Sequence, residues 1–427
     1  MMRVHSERSL LIDLFHAGVK SADPALCVPP LLPEPPPGRT VVIAAGKAAA
    51  SMARAVEDHW PGPIEGIAVT RYGHGVECGR IEVIEAAHPV PDDRGALAAA
   101  RLIETVRGLG PDDLVLCLIS GGGSALLALA ADGLTLDDKK AINRQLLASG
   151  APIGAMNTVR KHLSAIKGGR LAEAAYPARL VTIGISDVPG DDPSVIASGP
   201  TVPDKTTLAD ARAVLERYRI AAPAHIRAHL EADTSETPKP GDRVFDNSDF
   251  RMAARPVGMV EAVAAEARRL GIDVVSLGAD VEGEAREVGR DHARLVLEHA
   301  GSREGGAPLL IVSGGETTVT VGEAGGGRGG RNAEYLLSLA IGLDGAEGIH
   351  ALAADTDGID GSEDNAGAVI DPGTLSRARS AGLDPAACLA RNDAYSVFEA
   401  SGDLVFTGPT LTNVNDLRLI LVNGAGR

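Results

Sequence analysis

The sequence predicts an α/β protein built as two α/β/α domains with largely parallel sheets. Three observations lead there. At 427 residues the chain is too long for one ordinary core. Its composition, 44% hydrophobic but only 3% aromatic, favours parallel layers rich in aliphatic residues over a β-sandwich. Short apolar runs also alternate with amphipathic helical stretches along most of the length, the pattern of βαβ crossovers.

The predicted strands of the first half are 40–44, 66–70, 82–86, 114–120 and 180–186, with helices at 48–59, 95–109, 136–149 and 156–174. A polar stretch with two prolines and no periodicity, 232–242, reads as a linker, which places the domains at 1–236 and 237–427. The second half then offers helices at 259–270, 284–300 and 331–343. Its strands are expected at 273–277, 309–312, 317–321, 350–354 and 417–422.

The net charge of −16 argues against nucleic-acid and anionic-membrane partners, which bind through basic surfaces. The four cysteines (Cys27, Cys78, Cys117, Cys388) are scattered without a C-x-x-C pair and read as reduced thiols. The polar start and short apolar run at 10–15 give no signal peptide, and no stretch approaches the ~20 apolar residues of a membrane span. A cytoplasmic protein is expected.

Two strands run into glycine loops, each expected to open a helix. The first loop is Gly121-Gly122-Gly123-Ser124; the second is Ser313-Gly314-Gly315-Glu316, followed by the tract 325–330. Glycine lets backbone N–H groups approach a ligand, and a helix N-terminus adds partial positive charge, so both loops suit a phosphorylated ligand in a cleft between domains. Lys47, in Ala45-Gly46-Lys47-Ala48, sits at a strand-to-helix turn, where α/β sheets bind ligands. It is not a Walker A lysine, since the leading glycine and the following Ser or Thr are missing.

Carboxylates cluster after two further strands. Asp187, Asp191 and Asp192 share one loop and could hold Mg²⁺, which needs one or two carboxylates beside phosphate oxygens. Asp355, Asp357 and Asp360 share another; the EF-hand pattern fails there, and the loop reads as facing substrate or a metal. In Gly329-Gly330-Arg331-Asn332 the arginine and the helix start suit anion binding, although the tract formally satisfies G-x-G-x-x-G. A basic helix offers Arg160, His162 and Lys167 as cleft candidates, and His88 lies in the loop His88-Pro89-Val90-Pro91-Asp92.

Together these motifs, with Asn157-Thr158-Val159-Arg160-Lys161-His162-Leu163-Ser164, Ser186-Asp187-Val188-Pro189-Gly190-Asp191, Asp355-Thr356-Asp357-Gly358-Ile359-Asp360-Gly361 and Thr407-Gly408-Pro409-Thr410, make the chain resemble the class II glycerate kinases of the MOFRL family. The likeness runs in order over nearly the whole chain. It implies a Rossmann-like N-terminal domain, a smaller MOFRL-type C-terminal domain, and ATP-dependent phosphorylation of D-glycerate to 2-phosphoglycerate with Mg²⁺. Small-molecule partners, glycerate and ATP, follow from it, and a homodimer stays open. Lys47 and Arg331 would stabilise the γ-phosphoryl group. Gly121, Gly122, Gly123, Ser124, Gly314, Gly315, Glu316, Gly330 and Asn332 would cradle nucleotide phosphates or the glycerate carboxylate. Asp187 with Asp191 is the preferred metal site and Asp357 the preferred group for the substrate, although the residues alone leave those roles exchangeable. The competing reading is an NAD(P)H-dependent hydroxypyruvate reductase, a label such proteins have carried.

Overall fold

In the computed structural model, which describes residues 6–301, 306–321 and 326–423, the chain divides into two units. One is Pro24–Ala253; the other joins Met1–Asp23 to Ala254–Arg427. This partition departs from the expected boundary near 236 at both ends. The helix Glu7–Lys20, not anticipated from its short apolar run, packs with the later residues, and the strand Ser248–Ala254 completes the first sheet.

The first unit holds β1 (Thr40–Ala45), β2 (Glu65–Arg71), β3 (Ile81–Ala86), β4 (Leu114–Ile119), β5 (Arg179–Ile185) and β6 (Ser248–Ala254), in the order 3-2-1-4-5-6. The pairs linking β1 through β5 are all parallel, as expected. β1 and β4 are buried at every position, because helices cover both faces, so they read as continuous apolar runs. The order reverses between β1 and β4. That switch point is where open α/β sheets leave a crevice at the carboxyl ends of their strands.

The helix expected at 156–174 is interrupted. It forms Ile153–His162 and Arg170–Ala175, because Gly168 and Gly169 take φ of +58° and +86°. A side chain at Gly169 would strike Phe245 and the Val202 carbonyl. The supposed linker is also anchored. Arg170 donates to the carbonyls of Ser235 (2.6 Å) and Glu236 (3.0 Å), and the Glu236 carboxylate accepts from Leu208 N–H (3.0 Å) and meets His162 Nε2 at 2.9 Å.

The second unit contains β7 (Asp273–Ser276), β8 (Gly283–Glu284), β9 (Leu309–Gly314), β10 (Thr317–Thr318), β11 (Ile349–Asp355), β12 (Gly367–Ile370), β13 (Leu404–Val405) and β14 (Asp416–Val422). Six of them form a sheet in the order 13-12-11-14-9-7. This sheet is mixed, and the expectation of parallel strands fails there: only β7 and β9 pair parallel. The physical reason is that β14 enters between β9 and β11 and runs against both. The helix Arg331–Leu343 packs on this sheet, burying Tyr335, Leu336 and Leu339. No helix among the described residues is long and apolar enough to cross a membrane, and no disulfide joins the cysteines.

The Glu236 clamp gives a pH test. Burial alone would raise its pKa, but the Leu208 N–H, Lys239, the Thr237 N–H and His162 outweigh it and hold the value down at about 2. A depressed folded pKa means that this stability is present above the ordinary value of 4.5 and lost as pH falls toward 2. The urea midpoint of Glu236→Gln should therefore lie below wild type at pH 6, with the gap closing between pH 4.5 and 2. A gap that stays constant over that range would show that the carboxylate does not carry the clamp.

Candidate active site

The loop after β1 is locked to the loop after β4. Lys47 N–H donates to the Gly121 carbonyl (2.8 Å), and Ala48 N–H donates to Ser120 Oγ (3.0 Å). Gly46 makes this possible: its φ is +137°, and a Cβ there would lie 2.1 Å from Ser120 Oγ. Gly122, at φ +79°, packs between His88 and Lys47. A Cβ on it would stand 3.0 Å from His88 Nε2 and 3.2 Å from Lys47 Cγ. Gly123 faces inward against Ala197 and the Ala45 carbonyl, and it opens the short helix Gly123–Leu126. The structure thus brings Lys47, Gly121, Gly122, Gly123 and Ser124 together at the switch point.

Beside them lies a cavity of about 470 Å³, bordered by His88, Gly122 and Ser124 and by the helices Leu136–Ala148 and Ile153–His162. Five cations line it, Lys139, Lys140, Arg144, Arg160 and Lys167, with no carboxylate among its described lining residues. Lys167 is buried, and its Nζ lies 2.7 Å from Ser124 Oγ and also donates to the Ser124 carbonyl. Ser124 Oγ lies 2.9 Å from Ser198 Oγ. Burial, then the nearby Lys139 and Arg160 charges, hold the Lys167 pKa well below its ordinary value. Burial lowers Lys139 to about 7 and depresses Arg160 as well. Basic side chains crowded together without acidic partners among the described residues favour an anionic ligand, which would restore the charge that burial disfavours.

Arg160 and Lys167 were legible as candidates; Lys139, Lys140, Asn143 and Arg144 were not. Their helix begins at a Thr135–Asp138 capping box and reads as an ordinary amphipathic element. Only its packing against Ile153–His162 shows which polar residues meet the cavity. His162 is a different case: it is fully buried, with Nδ1 on the Thr158 carbonyl and Nε2 on Glu236, so its contacts are structural.

β5 delivers Asp187 to the same sheet edge, since Gly184 is level with Ile119 and Ile119 with Ala45. Asp191, at φ +53°, has a buried Oδ1 with no hydrogen-bond partner among the described residues. No group of three His, Cys, Asp or Glu side chains among the described residues could hold a metal by itself. A Mg²⁺ carried on phosphate oxygens needs fewer protein ligands, and the orphaned Asp191 oxygen fits that demand.

In the second unit the expected site residues are engaged with one another. Asp355 on β11 lies directly across from Asp416 on β14, an unfavourable pairing of like charges. Arg331 relieves it, donating to Asp416 (2.7 and 2.9 Å), Asp355 (2.8 Å) and the exposed Glu316 (2.8 Å). Burial opposes its charge, but Asp416 and Asp355 outweigh that and keep its pKa raised. The N–H groups of Asn332 and Ala333, which a phosphate would use, already donate to Asp360 at 3.0 and 2.9 Å.

The glycines of this unit serve internal contacts too. The space beside Gly330 is filled by Asp360, that beside Gly315 by the Asp280–Val281 backbone, and that beside Gly358 by the Gly408 carbonyl. Gly358 therefore does not leave the room expected for a substrate at Asp357, which is itself buried. Gly314 and Gly315 lead into the two-residue strand β10, not a helix. Residue 325, the first of the glycine tract, lies outside the described residues.

Two family models match the chain: a domain of unknown function (DUF4147) over residues 10–231 and the MOFRL family over 309–416. A glycerate 2-kinase of Pyrococcus horikoshii is 42% identical over 90% of this chain and 88% of its own. An Agrobacterium vitis protein with the provisional name hydroxypyruvate reductase is 56% identical over 98% of this chain and 95% of its own. The crystal structure of glycerate kinase from Thermotoga maritima matches with a TM-score of 0.87 at 38% identity, covering 97% of this chain and 99% of that one. Fold and comparisons together define a two-domain α/β enzyme with a DUF4147 region and a MOFRL region. The chain belongs to the class II glycerate kinase family.

The Arg331 cluster predicts a stability effect. Arg331→Ala strands a fully buried Asp416 beside Asp355 and should cost about 3–5 kcal/mol, read from the denaturant midpoint. Arg331→Lys should recover part of that loss, restoring the charge without the fork, while Glu316→Gln should cost at most about 1 kcal/mol because that pair is exposed. An Arg331→Ala midpoint equal to wild type would rule out this charge balance.

Proposed function

We propose that the enzyme transfers the γ-phosphoryl group of ATP to the 2-hydroxyl of D-glycerate, giving 2-phosphoglycerate. The observation that carries this reading is the cationic cavity opening beside Gly122 at the switch point, with Lys47 against the same glycine. Phosphoryl transfer needs mainly positioning and neutralised charge. Lys47, at the start of the turn after β1, would meet the transferring group as a point charge. The backbone around Gly121–Ser124 would let phosphate or carboxylate oxygens approach closely.

In the reaction the 2-hydroxyl oxygen forms a bond to the γ-phosphorus as the bond from that phosphorus to the β-phosphate oxygen breaks; ADP leaves with that oxygen and the hydroxyl proton is released to solvent. Asp187 and Asp191 would hold Mg²⁺ together with the phosphates; the ion supplies neutralisation of developing negative charge. Arg331 turns one donor outward to Glu316, which is 51% exposed. A phosphate oxygen can replace so exposed a partner, and on that basis we keep Arg331 as an anion-binding residue of the second unit.

The reductase reading has less support. A dinucleotide fingerprint belongs in the first βα turn of such a sheet, yet the turn after β1 reads Ala45-Gly46-Lys47-Ala48 with a single glycine. Coupled assays separate the readings: ATP with D-glycerate should be turned over to 2-phosphoglycerate, and NADH or NADPH with hydroxypyruvate should not. Lys47→Ala should lower turnover by ~10²–10⁴ with an unchanged thermal midpoint, the scale of losing one preorganised charge. Hydroxypyruvate reduction without phosphorylation would overturn the assignment, and near-normal turnover of Lys47→Ala would remove that lysine from it.

A further inference from the structure

We infer that the cavity between the helices Leu136–Ala148 and Ile153–His162 is the nucleoside triphosphate site, with its apolar wall receiving the base and its lysines and arginines the phosphates. This rests on the kinase reading above and names which of the two substrates the cavity takes.

Size is the first argument. About 470 Å³ falls within the ~300–1,000 Å³ of cofactor-sized pockets, far more than a three-carbon acid fills. The second is the character of the wall. Glycerate is polar nearly all round and gains nothing from an extended aliphatic surface, whereas a purine has two apolar faces. Val90 and Leu147, which border the cavity, are 67% and 59% exposed. Singly, exposed apolar side chains are ordinary; here they share one lining with Leu136, Ile142 and Val159, which makes an apolar surface that a ligand can cover.

The third argument is charge. Five basic side chains, with no carboxylate among the described lining residues, suit a polyphosphate better than one carboxylate. Arg160 is already aimed by Asn143, whose Oδ1 accepts its Nε–H at 2.8 Å, and Lys167 is held on Ser124. Lys140 and the exposed Arg144 remain on the outer helix as additional cations. Finally, Gly122 borders the cavity and also touches Lys47, so phosphates held here would end beside the lysine assigned to the transfer. By contrast, Gly315, Gly330 and Gly358 of the other glycine-bearing loops are filled by their own chain.

The test is equilibrium binding by calorimetry to the full chain, with MgATP and inorganic tripolyphosphate as separate probes. The exposed wall pair Val90→Ser/Leu147→Ser should weaken MgATP about tenfold and leave tripolyphosphate unchanged. Lys140→Ala/Arg144→Ala should weaken both probes at least tenfold while the KM for glycerate stays at the wild-type value. All four positions lie on the surface of the cavity, and the thermal midpoint confirms folding of each variant.

Wall variants that bind MgATP as well as wild type, or a charge variant that raises the glycerate KM without affecting MgATP, would overturn the inference. Because binding is read without turnover, the two readings fail separately. A chain that binds MgATP here yet leaves glycerate unphosphorylated would refute the glycerate reaction and leave the nucleotide site standing.

Discussion

The rest of the site depends on how closely the loop after β1 lies against the loop after β4. Parallel neighbours bring the two strand ends level, but the loops touch only because Gly46 has no side chain to strike Ser120. From that contact follow the Lys47–Gly121 and Ala48–Ser120 hydrogen bonds, the placement of Lys47 beside Gly122, and the opening of Gly122 onto the cavity. Sheet order supplies the crevice; one close backbone approach decides which side chains face it.

The two units manage charge in opposite ways. In the first, basic side chains are gathered at a cavity without carboxylates among its described lining residues, which leaves an electrostatic demand that an anion would meet. In the second, Arg331 and Asn332 are matched against Asp355, Asp360 and Asp416, and the demand is met within the chain. Burial shifts Asp360 up to about 6, although two helix N–H groups stabilise its charge. Such a network is rigid because removing any one member strands another.

Much of the architecture was legible. Continuous apolar runs marked β1, β4 and β5, and the motif order identified the family, because both depend on local pattern. The mixed second sheet was not legible, since nothing local to 417–422 states that this strand slots antiparallel between two others. The polar stretch 232–242 looked like a linker because Arg170, His162 and Leu208, which hold it, are distant in sequence. Among the site residues, Lys47 and Gly121–Ser124 came from strand-end spacing, whereas Lys139 and Lys140 required tertiary packing. Glycine content alone was ambiguous: Gly122 opens to a cavity, while Gly330 and Gly358 make room for Asp360 and Gly408.

Lysine footprinting can locate the phosphates at the ends of β1 and β4. Amine acylation of the folded chain, followed residue by residue by mass spectrometry with and without MgATP, reads the contact itself. Lys47, Lys139 and Lys140 should be protected by MgATP, with the exposed Lys205 unchanged as a control. Equal labelling of the three lysines in both conditions, at MgATP concentrations that support turnover, would contradict it.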